Sequence, residues 1–98
     1  MKRRNEFDQM VSDKLQNPVF AQSYFLGLIE HEDKLSIEEA LRFAILRMGI
    51  KEFAKLAKVP RPNVMEFLKG KRKLKPETID QYLKPFRLKS KLVVEKAS

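Results

Sequence analysis

The stretch KEFAKLAKVPRPNVMEFLKG, residues 51–70, constrains the fold of this 98-residue chain more than any other. Pro60 and Pro62 stand between two short segments whose apolar residues keep helical spacing. Inside a helix, proline removes a backbone donor and clashes with the preceding turn; in the first turn its missing amide is harmless. The pattern therefore predicts a short helix over residues 51–57, a turn at Lys58-Val59-Pro60, and a second short helix over 62–69 that Gly70 stops. A corner of this kind presents something, because a plain core helix has no need of the break.

A helix-turn-helix unit requires a small residue where its second helix crosses the first, a bend, and two apolar anchors that turn the other side of the second helix outward. Ala54 is the small residue, Val59 the apolar plug after the bend, and Val64 and Phe67 the anchors. Arg61, Pro62, Asn63, Met65, Glu66 and Lys69 are left facing out.

The rest of the chain reads as further helices. Phe7, Met10, Val11 and Leu15 give a short apolar stripe, and Asn17-Pro18 starts a second helix with Asn as N-cap and a buried face of Ala21, Tyr24, Phe25 and Leu28. That helix fades at His31-Glu32-Asp33-Lys34. Ser36 and Glu39 form a capping box for a third helix with the stripe Ile37, Ala40, Leu41, Ala44, Ile45 and Met48, ended by Gly49. Phe43 and Leu46 lie off that stripe and are expected to pack on the N-terminal helices or on another chain. Pro76 and Glu77 open a last helix with Ile79, Tyr82, Leu83 and Phe86 inward, and Pro85 marks its end. The expected fold class is all-α: a small bundle of five to six helices containing a helix-turn-helix. Residues 1–35 form an N-terminal helical extension, 36–88 the helix-turn-helix domain, and 89–98 a tail. Leu92-Val93-Val94 offers a short strand there, which would need a partner strand, for example from a second copy.

Charge points to the partner. The net +8 is unevenly placed: residues 1–50 carry seven Lys/Arg against eight Asp/Glu, and residues 51–98 carry fourteen against five. Such a split favours a polyanion on one part of the surface, although basic charge alone also serves solubility. A helix presented at a corner fits the major groove of double-stranded DNA and reads base edges near its N-terminus. The base-contacting candidates are Arg61, which can donate two hydrogen bonds to guanine, with Pro62, Asn63, Met65 and Glu66; Glu66 accepts from a cytosine amine or orients Arg61. Lys51, Lys69, Lys71, Arg72 and Lys73 are placed for phosphates.

Residues 36–87 resemble the helix-turn-helix domain of Cro/repressor-type (XRE-like) regulators, with Ala54, Val59, Val64 and Phe67 at their spacing. Lys58 stands where such proteins usually carry glycine, and Pro60 where a capping serine or threonine is common. LQNPVFAQSYFLGLIEHED followed by ALRFAILRMGIKEFAKLAKVPRPNVMEFLKG resembles HigA-like addiction-module antitoxins, and RLKSKLVVEK is similar to their short terminal strand. The resemblance implies a homodimer that represses its own operon at a palindromic operator and binds a cognate toxin, often an RNase of RelE-like type. It thus describes the antitoxin of a type II toxin-antitoxin system.

Other classes fit less well. The chain has no cysteine and one histidine, which leaves neither disulfides nor a metal cage, and no cofactor is expected. No nucleophile, base and orienting acid can be assembled, so an enzyme is not expected. No apolar run reaches the ~20 residues of a membrane span, and no export signal follows the basic N-terminus; a cytoplasmic protein is expected. Charge-driven binding to RNA or a membrane surface would need exposed aromatics or a basic amphipathic helix, and Phe53, Phe67, Tyr82 and Phe86 fall on apolar stripes. The alternative is a protein-interaction module that inhibits a partner without binding DNA, with Phe43, Leu46 and the first thirty-five residues as its face.

Overall fold

The computed structural model describes residues 6–31 and 35–90. Within them the chain is all-α: α1 (Glu6–Leu15), α2 (Pro18–Glu30), α3 (Ile37–Met48), α4 (Ile50–Ala57), α5 (Arg61–Leu68), α6 (Pro76–Leu83) and a 3-10 turn, Lys84–Phe86. The candidate strand at Leu92-Val93-Val94 and the acidic residues Glu32 and Asp33 lie outside the described residues.

Local chemistry sets the helix ends. The Asn17 side chain accepts from the Val19 and Phe20 N–H groups, with Pro18 in the first turn of α2. The capping box of α3 is complete: Glu39 N–H donates to Ser36 Oγ (3.2 Å) and Ser36 N–H donates to Glu39 Oε1 (3.1 Å). Three later helices end alike. Lys58 (φ 57°), Gly70 (φ 76°) and Arg87 (φ 53°) turn left-handed. The next residue's N–H then reaches back five residues: Val59 to the Ala54 carbonyl, Lys71 to Glu66 and Leu88 to Leu83. This is the Schellman closure, which satisfies carbonyls a helix end leaves open.

One core unites the helices. Leu15, Ala21 and Phe25 of α1 and α2 join Leu41, Ile45, Met48, Phe53, Val64, Phe67, Leu83 and Phe86 in it. Rings run through it in contact from α2 to α5: Phe25 with Phe86 (5.0 Å between centroids), Phe86 with Phe53 (6.3 Å), Phe53 with Tyr82 (5.3 Å) and Tyr82 with Phe67 (5.5 Å). Such pairs contribute about 0.5–1.5 kcal/mol each beyond the area they bury. The Tyr82 hydroxyl is buried without a hydrogen-bond partner among the described residues. Ser12, also fully buried, donates to the Met48 carbonyl at the end of α3 and so ties α1 to it.

Several residues on the stripes assigned by spacing lie in solvent: Phe7, Met10 and Ile37 are exposed. Each sits near the end of its helix or on a flank that no other element covers, so periodicity marks an apolar side there without a surface to meet it. Phe43 and Leu46, expected to pack on the N-terminal helices or on another chain, lie beside Asp8 and Val11 of α1 with about half of their surface exposed.

Candidate nucleic-acid interface

The corner depends on Lys58. Its left-handed backbone (φ 57°, ψ 47°) supplies the bend that glycine usually provides. Gln81 of α6 secures it, donating from Nε2 to the Ala57 carbonyl (3.3 Å) and the Lys58 carbonyl (3.0 Å). Val59 is half-buried against the core, as a plug after the bend. The chain then enters α5 through Pro60, which offers no side-chain cap. Two features replace one: the Pro60 carbonyl accepts from Asn63 N–H (3.0 Å) and Val64 N–H (3.3 Å), and Pro62 has no amide to satisfy.

The rotation of α5 about its axis follows from its anchors. Val64 and Phe67 are fully buried. Phe67 meets Tyr82 edge-on at 82° and carries the Arg42 guanidinium of α3 over its ring at 5.0 Å, a cation–π contact. With both anchors inward, Arg61, Pro62, Met65, Glu66 and Lys69 are exposed and Asn63 is half-buried. Every base-contacting candidate therefore lies on the free side of α5 or at its edge.

The loop after α5 brings Lys71, Arg72, Lys73 and Lys75 into solvent with Leu74 tucked into the core beneath them. Lys51, also exposed, stands in the first turn of α4, and Lys55 and Lys58 continue its side of that helix at i+4 and i+7. Residues 51–75 hold nine Lys/Arg against two carboxylates, Glu52 and Glu66.

Glu66 pairs with Arg72 rather than with Arg61. Its Oε2 lies 3.8 Å from Arg72 Nη2, because the left-handed turn at Gly70 folds the loop back over the end of α5. Both side chains are about half exposed, so the pair is weak and yields readily to a stronger anion. Below it, burial pushes the Tyr82 phenol above its ordinary pKa, while the positive charge of Arg72 acts in the opposite direction.

Sequence reasoning missed Gln81, Arg42 and Ser12. Each acts through a contact with a distant helix, which no residue close to it in the sequence announces. Among the described residues no helix is long and apolar enough to cross a membrane. Comparison of the chain with protein-family models, with curated proteins and with solved structures finds no match.

Proposed function

We propose that this protein is a sequence-specific DNA-binding repressor, the antitoxin of a type II toxin-antitoxin system that autoregulates its operon and neutralises a cognate toxin. The observation that carries the DNA-binding part is the geometry of α5: Val64 and Phe67 hold it from behind while Arg61, Met65, Glu66 and Lys69 remain in solvent, with a cationic loop following at once. Arg61 then reads a guanine edge through its two-pronged guanidinium, and Asn63, Pro62 and Met65 shape the contact around it. Lys51, Lys69, Lys71, Arg72 and Lys73 bind phosphates and fix the register. On contact, phosphate replaces Glu66 as the partner of Arg72. The toxin-binding part rests on the family resemblance of the N-terminal segment. The protein is in this reading a cytoplasmic binding protein and not an enzyme.

A mobility-shift titration with the DNA upstream of its own coding region tests the reading. Arg61→Ala is expected to cost about 1–3 kcal/mol on the operator and to relax preference at one base pair. Lys71→Ala is expected to weaken binding to all sequences and to lower the slope of log affinity against log salt by about 1. Wild-type protein that shifts no DNA, or an Arg61→Ala protein that binds the operator unchanged, refutes it.

A second reading, inhibition of a partner protein without DNA, is favoured by the exposure of Phe43 and Leu46. The same titration separates the two.

A further inference from the structure

Of the nine Lys/Arg in residues 51–75, Arg72 alone has a carboxylate partner among the described residues. That partner, Glu66, stands on the free side of α5. It is one helical turn after Pro62 and one turn before Lys69, the two positions most directly opposite the buried anchors Val64 and Phe67. A carboxylate there faces whatever anion the surrounding lysines attract. Like charges repel unless a donor meets the acid.

The backbone brings Glu66 and Arg72 together. Lys71 N–H donates to the Glu66 carbonyl (2.9 Å), and Leu74 is buried. Arg72 is thus pinned on both sides, over the end of α5, whether or not the charges touch. The ion pair itself is loose: Glu66 Oε2 and Arg72 Nη2 are 3.8 Å apart, and the side chains are 48% and 43% exposed. Little attraction is lost when it opens, so the outcome depends on where each group goes next.

Arg72 finds a phosphate on any duplex. Glu66 finds a donor over few bases. Guanine and thymine present acceptors in the major groove, and adenine sets its N7 acceptor beside its amine. Cytosine presents an amine with no acceptor of its own beside it. Over the other bases, release of Arg72 leaves the carboxylate against a polyanion without a donor, and the pair stays closed. We infer that Glu66 makes the phosphate contact of Arg72 conditional on cytosine. The carboxylate moves to the amine of one cytosine per bound chain, and Arg72 then turns to a phosphate. A base contact and a backbone contact form together or not at all. This rests on the DNA-binding reading and adds to it the identity of one base and a phosphate contact that belongs to specific binding alone.

Anisotropy titrations of the full chain test it, at salt from roughly 50 to 200 mM. They compare a duplex selected by the wild type from a random-sequence pool with an unrelated duplex of equal length. For the wild type, the slope of log affinity against log salt is expected to be steeper on the selected duplex by at least about 1 per bound chain. Glu66→Gln frees Arg72 everywhere. On the unrelated duplex it should steepen the slope by about 1 per chain and raise affinity about 5–10-fold at ~0.1 M salt. Arg72→Gln should flatten the slope on the selected duplex by about 1 and leave the unrelated one unchanged. Replacing C·G pairs of the selected duplex one at a time by T·A should find one pair per bound chain whose loss flattens the slope by the same amount. The double variant separates masking from plain repulsion: with Arg72→Gln present, the gain from Glu66→Gln on unrelated DNA should fall below about twofold. Both side chains are exposed, and an unchanged circular-dichroism spectrum checks each fold; were Glu66→Gln to unfold, Arg72→Gln still decides. A Glu66→Gln gain that survives Arg72→Gln overturns the inference. So does an Arg72→Gln slope lowered equally on both duplexes, or a selected duplex in which no C·G replacement alters the slope. A wild type that enriches no sequence overturns the DNA-binding reading first, and this inference with it.

Discussion

Lys58 allows a quantitative test of how the corner is built. A non-glycine residue held left-handed costs about 1–2 kcal/mol, and Lys58 sits in that region at φ 57°, ψ 47°. Its side chain is exposed, so replacement removes no packing. Lys58→Gly relieves the strain but adds about 0.5–1 kcal/mol of unfolded-chain entropy and forfeits about 0.3 kcal/mol of attraction between the ammonium and the helix end. The net expectation is a gain of about 0.5 kcal/mol over wild type. Lys58→Ala loses the charge and keeps the strain, so it should be less stable than Lys58→Gly by about 1 kcal/mol, or roughly 4–8 °C in midpoint for a domain of this size. Urea and thermal unfolding at neutral pH measure both variants. Gly70 gives the reverse case. A β-carbon there meets nothing within 4 Å, so Gly70→Ala should lose about 1 kcal/mol through its positive φ alone. If the alanine variant at 58 equals or exceeds the glycine variant, backbone strain does not govern this corner and the explanation is wrong.

The buried, unpartnered Tyr82 hydroxyl makes Tyr82→Phe a stabilising change of about 1 kcal/mol, and a lower unfolding midpoint would show that the hydroxyl is satisfied in solution. Ser12→Ala should cost about 1–2 kcal/mol, because a buried hydrogen bond from the hydroxyl to the Met48 carbonyl is lost; hydrogen exchange should quicken in α1 first, and uniform protection across the chain would contradict the role of this bond. Asp80 accepts from Ser90 N–H (2.7 Å) and Oγ–H (2.6 Å), and those bonds hold its carboxyl below the ordinary range, as Ser36 does for Glu39. A folded-state pKa below the unfolded one stabilises the fold at higher pH, and that contribution is lost as pH falls from about 4 through the folded value. Asp80→Asn should therefore flatten the acid limb of the stability profile, and a limb as steep as wild type would exclude Asp80 as a source.

What the sequence made legible was mostly local. Asn17, the Ser36–Glu39 box and prolines 18, 62 and 76 carry their chemistry within four residues, and the structure places each where those rules put it. The exposed side of α5 was legible because two large anchors three residues apart fix a helix's rotation. The same logic gave poor results for Phe7, Met10 and Ile37, since spacing reports which residues share a side but not whether another helix arrives to cover it. Long-range polar contacts were not legible at all. Nothing near Glu66 in sequence distinguishes Arg61, five residues before it, from Arg72, six residues after; the backbone turn at Gly70 decides between them.

The eight residues of α6 carry two attachments side by side. Asp80 grips the chain at Ser90, and Gln81 grips the Ala57 and Lys58 carbonyls beneath the bend. The helix thus ties the segment at Ser90 to the bend that precedes α5. A displacement of Ser90 and a displacement of the Lys58 bend therefore act on the same short helix, whose Tyr82 lies between Phe53 and Phe67 in the aromatic interior.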